Sequence, residues 1–578
     1  MRNYYTAERN IQIVISLLKA HGVRRIVASP GATDVSIVAS LQHDKYFELY
    51  SSIDERSAAY IACGIAAESG EPVAIICTGA TSSRNYMPGL TEAYYRHLPI
   101  LAITCCRSNV NVGHYVDQVT DRSNLPNDIA NESVYVQTIH CPDDEWDCMI
   151  KVNKAILALT RNGGGPSHIN LATVYSRDFS VKEIAPVRKI QRYCLEDCLP
   201  EIHAAKVGIF VGAHVKWSHE LTEVVDRFCS IYNAAVFCDQ TSNYKGKYRI
   251  LFPLITEQFG FTNGEPEIDL LIHIGYVSSS VFKGKVIWRV NKDGEIRDTF
   301  RRMHNVFQMS ELDFFKYYVN QNQKKENTLY SEYLERYNSL LQRLPDIPFS
   351  NLWIAKQLAA RLPDNSVLHL GIRNSLRSWN YFEIPNSVLS YCNTGGFGID
   401  GGISSLIGSS FIDRNKLYYG VFGDLLFYYD MNSLGNRDIA RNVRILIVNN
   451  GLGQEFKNYS CFSSMFGEDT DKFIAARGHF GNSTKKIIKD YAEDLGFEYL
   501  TASNEEEFNQ VYETFINPSI TDKPMLFEAF TTTENESEAY KQITTISTRS
   551  KLMKRADDVI SMPQLSAVRN VIKKYIKR

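Results

Sequence analysis

The sequence predicts three successive α/β domains, each a doubly wound parallel sheet covered by helices. Three observations lead there. Short apolar, β-branched runs alternate with helix-length segments along nearly all of the 578 residues, the pattern of strands buried on both faces. In the first group the first three runs end in small or turn-forming residues, as strand-to-helix loops require. The chain is also too long for one hydrophobic core, and its runs fall into three groups of similar size.

The first group comprises residues 25–28 (RIVA), 73–76 (VAII), 100–103 (ILAI) and 168–171 (HINL), and places a domain over residues 1–185. The second comprises 207–211, 235–237, 270–274 and 286–290, for a domain over 190–315. A linker is expected over 316–345, because 320–327 read NQNQKKEN. The third comprises 367–370, 417–422, 444–448 and 525–530, for a domain over 346–545. The basic tail, 546–578, reads as helix interrupted at Pro563. No short-period repeat is visible.

Composition excludes several classes. A formal net charge of −2 gives no basic field that points to nucleic acid as partner. No window approaches the ~20 uninterrupted apolar residues of a membrane span, and residues 1–10 are polar with no apolar stretch behind them. The 12 cysteines are scattered without paired zinc-ligand spacing, which suits reduced thiols in a cytoplasmic enzyme.

The strongest local signal is Gly423-Asp424 at the end of one apolar run and Asn449-Asn450 at the end of the next. Ligands of open α/β sheets sit outside the carboxyl ends of strands, where both pairs fall. A carboxylate and an amide oxygen are hard ligands suited to Mg²⁺, which leaves its other positions for phosphate and water. Gly423 allows a phosphate to approach the backbone closely.

This spacing resembles the diphosphate-binding motif of thiamine-diphosphate enzymes. Residues 423–432 (GDLLFYYDMN), 447–456 (IVNNGLGQEF) and 393–401 (NTGGFGIDG) resemble the branch that contains SEPHCHC synthase of menaquinone biosynthesis. The resemblance implies thiamine diphosphate and Mg²⁺ as cofactors. Asp424, Asn450 and the carbonyl of Leu452 would hold the metal, and Thr78, Gly79, Gly398, Gly423, Leu425, Leu426, Asn450 and Phe456 the cofactor. Ile399 matches the bulky residue that keeps the cofactor bent. Near the N-terminus, Glu55 in Ser52-Ile53-Asp54-Glu55-Arg56 matches the glutamate that hydrogen-bonds the aminopyrimidine, and Gln118 matches a glutamine facing substrate. A carboxyl held against that ring nitrogen is what cofactor activation needs. The family builds each site from two subunits, which implies at least a homodimer and leaves a tetramer open.

Departures bear on the substrate. SEPHCHC synthase reads Ser-Arg after its Pro-Gly turn, where this chain has Ala32-Thr33; Thr394 replaces a second family arginine, and a third falls near Trp379, with Arg373 and Arg377 close by. Threonine and alanine do not replace bidentate guanidinium contacts, so the sequence argues against the menaquinone reaction. Ala32 is nearer in character to acetolactate-synthase-like enzymes. Arg107 and His114 are further substrate-side candidates. The expected function is a carboligase that decarboxylates a 2-oxo acid donor and adds the resulting enamine to an acceptor carbonyl. A simple 2-oxo acid decarboxylase is the alternative, and a non-catalytic binding relative the remote one. Gly208, Gly212 and Gly275 form no dinucleotide fingerprint, so flavin in the middle domain has no support.

Overall fold

The computed structural model describes residues 4–258, 267–320, 326–478 and 484–548; residues 321–325 of the expected linker and 549–578 of the basic tail lie outside the described residues. In chain order the strands begin with β1 Arg25–Ala28, β2 Glu48–Ser51, β3 Val73–Thr78, β4 Ile100–Cys106, β5 Ser133–Val136, β6 Ser167–Ala172 and β7 Gln191–Cys194. There follow β8 Val207–Val211, β9 Ala234–Cys238, β10 Arg249–Leu251, β11 Leu270–Ile274, β12 Val286–Asn291 and β13 Met303–Gln308. The last are β14 Val367–Leu370, β15 Leu389–Tyr391, β16 Tyr418–Gly423, β17 Val443–Asn449, β18 Glu498–Ala502 and β19 Met525–Phe530. The chain forms two compact units, one of residues 1–199 with 292–308, the other of 200–291 with 309–578.

In the first unit a six-stranded parallel sheet has the order β2-β1-β3-β4-β6-β5. Successive strand residues face opposite sides, so β1, β3 and β4 feed two cores. Ile26, Ala74, Ile76, Leu101 and Ile103 pack with Ile11, Leu17, Val152 and Ile156 from helices Arg9–Ala20 and Pro142–Ala158. Val27, Val73, Ile75 and Cys77 pack on the other side with Ala58, Ala62 and Leu90. Helix Glu55–Ser69 is rich in alanine because it lies almost in contact with helix Met87–Tyr95: a Cβ on Gly89 would fall 2.4 Å from that of Ala59. In the same unit β7 pairs in parallel with β13.

The second unit holds a parallel run β10-β9-β8-β11-β12 and a six-stranded parallel sheet β15-β14-β16-β17-β19-β18. A buried polar loop after β9 ties them together. Gln240 N–H donates to Asn380 Oδ1 at 2.8 Å and its side chain to the Phe382 carbonyl at 2.6 Å. Asn243 exchanges two hydrogen bonds with the Ser390 backbone, at 3.0 and 2.9 Å.

Arg444, fully buried within β17, spends its guanidinium on helix Glu505–Phe515. It donates to the carbonyls of Thr514 (3.1 Å), Phe515 (2.9 Å) and Ser519 (2.9 Å), at the end where helical carbonyls lack partners. Arg444→Ala is expected to lower unfolding stability by about 3 kcal/mol, because the Phe515 carbonyl, on a buried residue, loses its donor and a large buried side chain is removed. Urea unfolding followed by circular dichroism measures this; a midpoint unchanged from wild type contradicts it.

Candidate cofactor site

The first and last sheets share one topology. With strands renumbered from the start of each, both read 2-1-3-4-6-5, so each reverses winding between its first and third strands. Open α/β sheets bind ligands at that switch point, outside the carboxyl ends. In the first sheet the flanking loops begin at Ser29 and Gly79, and in the last at Gly371 and Asp424.

At the first switch point the backbones nearly touch. A Cβ on Gly31 would lie 2.0 Å from Thr78 Oγ1. Thr33 N–H donates to Thr78 Oγ1 (3.2 Å), Thr33 Oγ1 to the Cys105 carbonyl (2.6 Å), and Gly79 N–H to that same carbonyl (2.6 Å). Thr33 is thus turned inward, while Ala32 is exposed. Ala80, directly after Gly79, has φ 60, a left-handed conformation that a residue with a Cβ adopts only at a cost.

Glu55 opens helix Glu55–Ser69, one residue past β2's loop. Asp54 caps that helix by accepting from Arg56 N–H at 2.9 Å, and an acid at this first position suits the helix dipole. The Glu55 carboxylate accepts from Asn85 Nδ2 at 3.3 Å. Asp34, absent from the sequence expectations, is a buried carboxyl just past the Pro30-Gly31 turn. Burial pushes it up to about 7, and the Glu55 charge adds to the rise. Gln118 is exposed at φ 58. Beside it Asp117 binds the Arg107 guanidinium through both oxygens, at 2.8 and 3.1 Å, so Arg107 braces this loop. His114 is exposed on the same loop.

In the last sheet Gly423 of β16 stands opposite Val448 of β17, so Asp424 and the Asn449-Asn450 pair leave the sheet on neighbouring strands. Asp424 is buried, and burial raises its carboxyl to about 7 against hydrogen bonds from the backbone of Leu425, Asp424 and Gly451. Asn449 Nδ2 donates to Glu528 Oε1 at 2.7 Å, and Tyr499 O–H to Glu528 Oε2 at 2.7 Å. Asn450 Oδ1 accepts from Leu452 N–H at 3.3 Å across a turn in which Gly451 has φ 77. Leu426 and Leu452 are buried; Leu425, Gly398 and Ile399 are half-buried, and Phe456 is exposed. Glu528 was legible as the one charge in the apolar run 525–530.

The middle run also reverses winding, between β8 and β11, but its crevice is closed. A Cβ on Gly212 would fall 2.0 Å from the Tyr276 carbonyl oxygen. Tyr276 N–H donates to the Ala213 carbonyl (2.9 Å) and Gly212 N–H to that of Ile274 (3.0 Å). Gly212 and Gly275 thus serve close backbone approach between the two loops.

Residues 10–125 match the family described as thiamine pyrophosphate enzyme, N-terminal TPP binding domain. The chain is a thiamine-diphosphate-dependent enzyme. It is 29% identical over 573 residues to the 2-succinyl-5-enolpyruvyl-6-hydroxy-3-cyclohexene-1-carboxylate synthase of Phocaeicola vulgatus, covering 92% of this chain and 97% of that one. The protein of the same description from Bacteroides thetaiotaomicron is 29% identical over 570 residues, covering 93% and 98%. A solved thiamine diphosphate-dependent 4-hydroxybenzoylformate decarboxylase from Rhodococcus jostii aligns with a TM-score of 0.41 and 14% identity over 90% of this chain and 99% of that one, too distant a likeness to carry weight.

The residues around Asp424 fit the cofactor's metal. Asp424 is a buried carboxyl that makes no ion pair among the described residues, and amide and backbone oxygens lie on the adjoining strand end. Among the described residues no group of three or more His, Cys, Asp or Glu could hold a metal, so a soft-ligand site of the zinc kind is not built here. Asp424 favours the folded chain only while protonated: that contribution is complete below about 4, the unfolded value, and is lost as pH rises through about 7. Asp424→Asn is therefore expected to raise the melting temperature of the metal-free protein at pH 8, and to abolish any further rise on adding Mg²⁺ with thiamine diphosphate. Differential scanning fluorimetry reads both; a variant that keeps the Mg²⁺-dependent rise contradicts this.

Proposed function

We propose that this enzyme is an Mg²⁺-dependent carboligase that removes CO₂ from a 2-oxo acid and joins the remaining acyl unit to an acceptor carbonyl. The observation that supports it most is the Gly423–Val448 register, which brings Asp424 and Asn450 to one sheet edge in a chain whose synthase relatives match nearly end to end. Asp424, Asn450 and the Leu452 carbonyl hold Mg²⁺, and the backbone at Gly423 and Leu425 receives the diphosphate, with Thr78, Gly79, Gly398, Leu426 and Phe456 completing the cofactor's surroundings. Bound thiamine diphosphate supplies the sink for the electron pair left when CO₂ departs.

The chain's own groups do the rest. Glu55, steadied by Asn85, holds a proton against the cofactor's aminopyrimidine nitrogen. Ile399 would keep the cofactor bent when it is bound, and the loop braced by Arg107 and Asp117 would offer Gln118 and His114 to substrate. The enzyme works in the cytoplasm as at least a homodimer, with the Glu55 half from one subunit serving the Asp424 half of another. It differs from the synthase of its named relatives in substrate. Thr33 and Thr394 are buried where that reaction would need exposed arginines, and Ala32 leaves room for a small donor.

Carbon dioxide release from a panel of 2-oxo acids led by pyruvate and 2-oxoglutarate, with thiamine diphosphate and Mg²⁺ present, tests the reaction. Release from one acid, reduced at least about a hundredfold in Glu55→Gln, is the expected result for loss of a proton-transfer group. Equal release in the variant removes Glu55 from the mechanism, and a free aldehyde as sole carbon product in the presence of acceptors favours simple decarboxylation.

A further inference from the structure

Three segments that follow strands of the last sheet enclose a small polar cavity in the second unit. They are helix Asn374–Trp379 after β14, the turn Gln454–Lys457 after β17 and helix Thr533–Thr544 after β19. The cavity measures about 20 Å³ and is lined by Asn374, Ser378, Gln454, Asn458, Glu536 and Tyr540, among others. Roughly 10–15 Å³ already holds one water, so there is room for a single body of that size and no shell around it.

Two of the lining side chains carry oxygens that the fold leaves unanswered. Gln454 is 3% exposed, and its Nε2 donates to Ser537 Oγ (3.0 Å), Asn458 Oδ1 (3.4 Å) and the Thr533 carbonyl (3.5 Å). A carbonyl accepts and never donates, so the amide is held in this orientation. Its Oε1 is the group left over, buried with no hydrogen bond. Glu536 is 7% exposed and accepts from Asn351 N–H at 2.8 Å, but makes no ion pair among the described residues. Arg377, at the cavity wall, gives its charge to Glu455 through both oxygens, at 2.6 and 3.0 Å. Burial raises the Glu536 carboxyl to about 7. Above that pH a buried charge stands without a counter-ion, which costs free energy unless something positive fills the space.

We propose that this cavity is a site for a monovalent cation, held between the Glu536 carboxylate and Gln454 Oε1. Space disfavours a divalent ion: Mg²⁺ gives up its waters reluctantly and wants octahedral ligands, and those waters have no room here. A monovalent ion sheds its shell more cheaply and takes neutral oxygens in its place, as in carbonyl-lined ion sites. One carboxylate also matches one positive charge. The ion would join the three segments to one another. Gln454 lies two residues past Leu452, so it would also steady the chain just beyond the proposed Mg²⁺ ligands. The inference does not depend on the reaction proposed above.

Differential scanning fluorimetry of the full-length protein at pH 8 tests it, with KCl or NaCl replacing choline chloride at constant ionic strength. The melting temperature of wild type is expected to rise saturably with at least one of the two salts. Glu536→Gln keeps the shape and removes the charge. It is expected to melt higher than wild type in choline chloride, because a costly buried charge is gone, and to bind the ion at least about tenfold more weakly. Thallium(I) nitrate soaked into wild-type crystals locates the ion without any variant, and an anomalous peak between Gln454 Oε1 and the Glu536 carboxylate is expected. A wild-type melting temperature that neither salt moves, an equal rise in Glu536→Gln, or ordered water with no anomalous signal at that place overturns the inference.

Discussion

A carboxylate is buried at the end of β16 with no ion pair among the described residues, and the rest of the site is arranged around it. Taking Asp424 out of water costs more than its backbone hydrogen bonds return, which is why burial raises it to about 7. A fold selected for stability alone would place asparagine or a neutral side chain there. Keeping an acid makes the free protein less stable at neutral pH, a cost that the divalent cation of the proposed function would offset. The end of the neighbouring strand is tied down beside it: Asn449 donates to Glu528, and Tyr499 donates to the other oxygen of Glu528, ahead of the turn at Gly451.

The same sheet topology occurs twice, and each copy gathers a different set of polar groups at the same place. At the first switch point Gly31, Thr33, Thr78 and Cys105 draw the loops together, with Glu55 on the adjoining helix. At the last, Gly371 lets the loop after β14 lie against β16, beside Asp424. The middle run has the equivalent crevice, but mutual hydrogen bonds between the loops at Gly212 and Gly275 fill it. Topology therefore offers three candidate ligand sites, and loop packing decides which stay open.

The central strands were legible because burial on both faces leaves continuous apolar runs, as at 73–76, 270–274 and 444–448. Strands β5, β7, β10, β13, β15 and β18 were not. They are short or polar, as in QRYC of β7 and EYLTA of β18, and draw their stability from a neighbour. Asp424 and Asn450 could be picked out because turn chemistry and ligand chemistry coincide there, whereas Glu55 is marked only by the family resemblance of its surroundings. Asp34 and Asn85 could not, since nothing local distinguishes them until the chain brings them near Glu55. Arg373 and Arg377 sit four residues apart in one short segment and looked equivalent in sequence. Only tertiary packing assigns Glu455 to the second and leaves the first more exposed.

The most direct measurement is a calorimetric titration of the purified protein with thiamine diphosphate, once in Mg²⁺ and once in excess EDTA, with thiamine lacking phosphate as the comparison. Saturable binding of one molecule per chain that requires the divalent ion, and much weaker binding of thiamine, is the expected result for a carboxylate and amide that hold the diphosphate through a metal. Equal affinity with and without Mg²⁺, or no binding at all, would contradict metal-bridged capture of the diphosphate by Asp424 and Asn450.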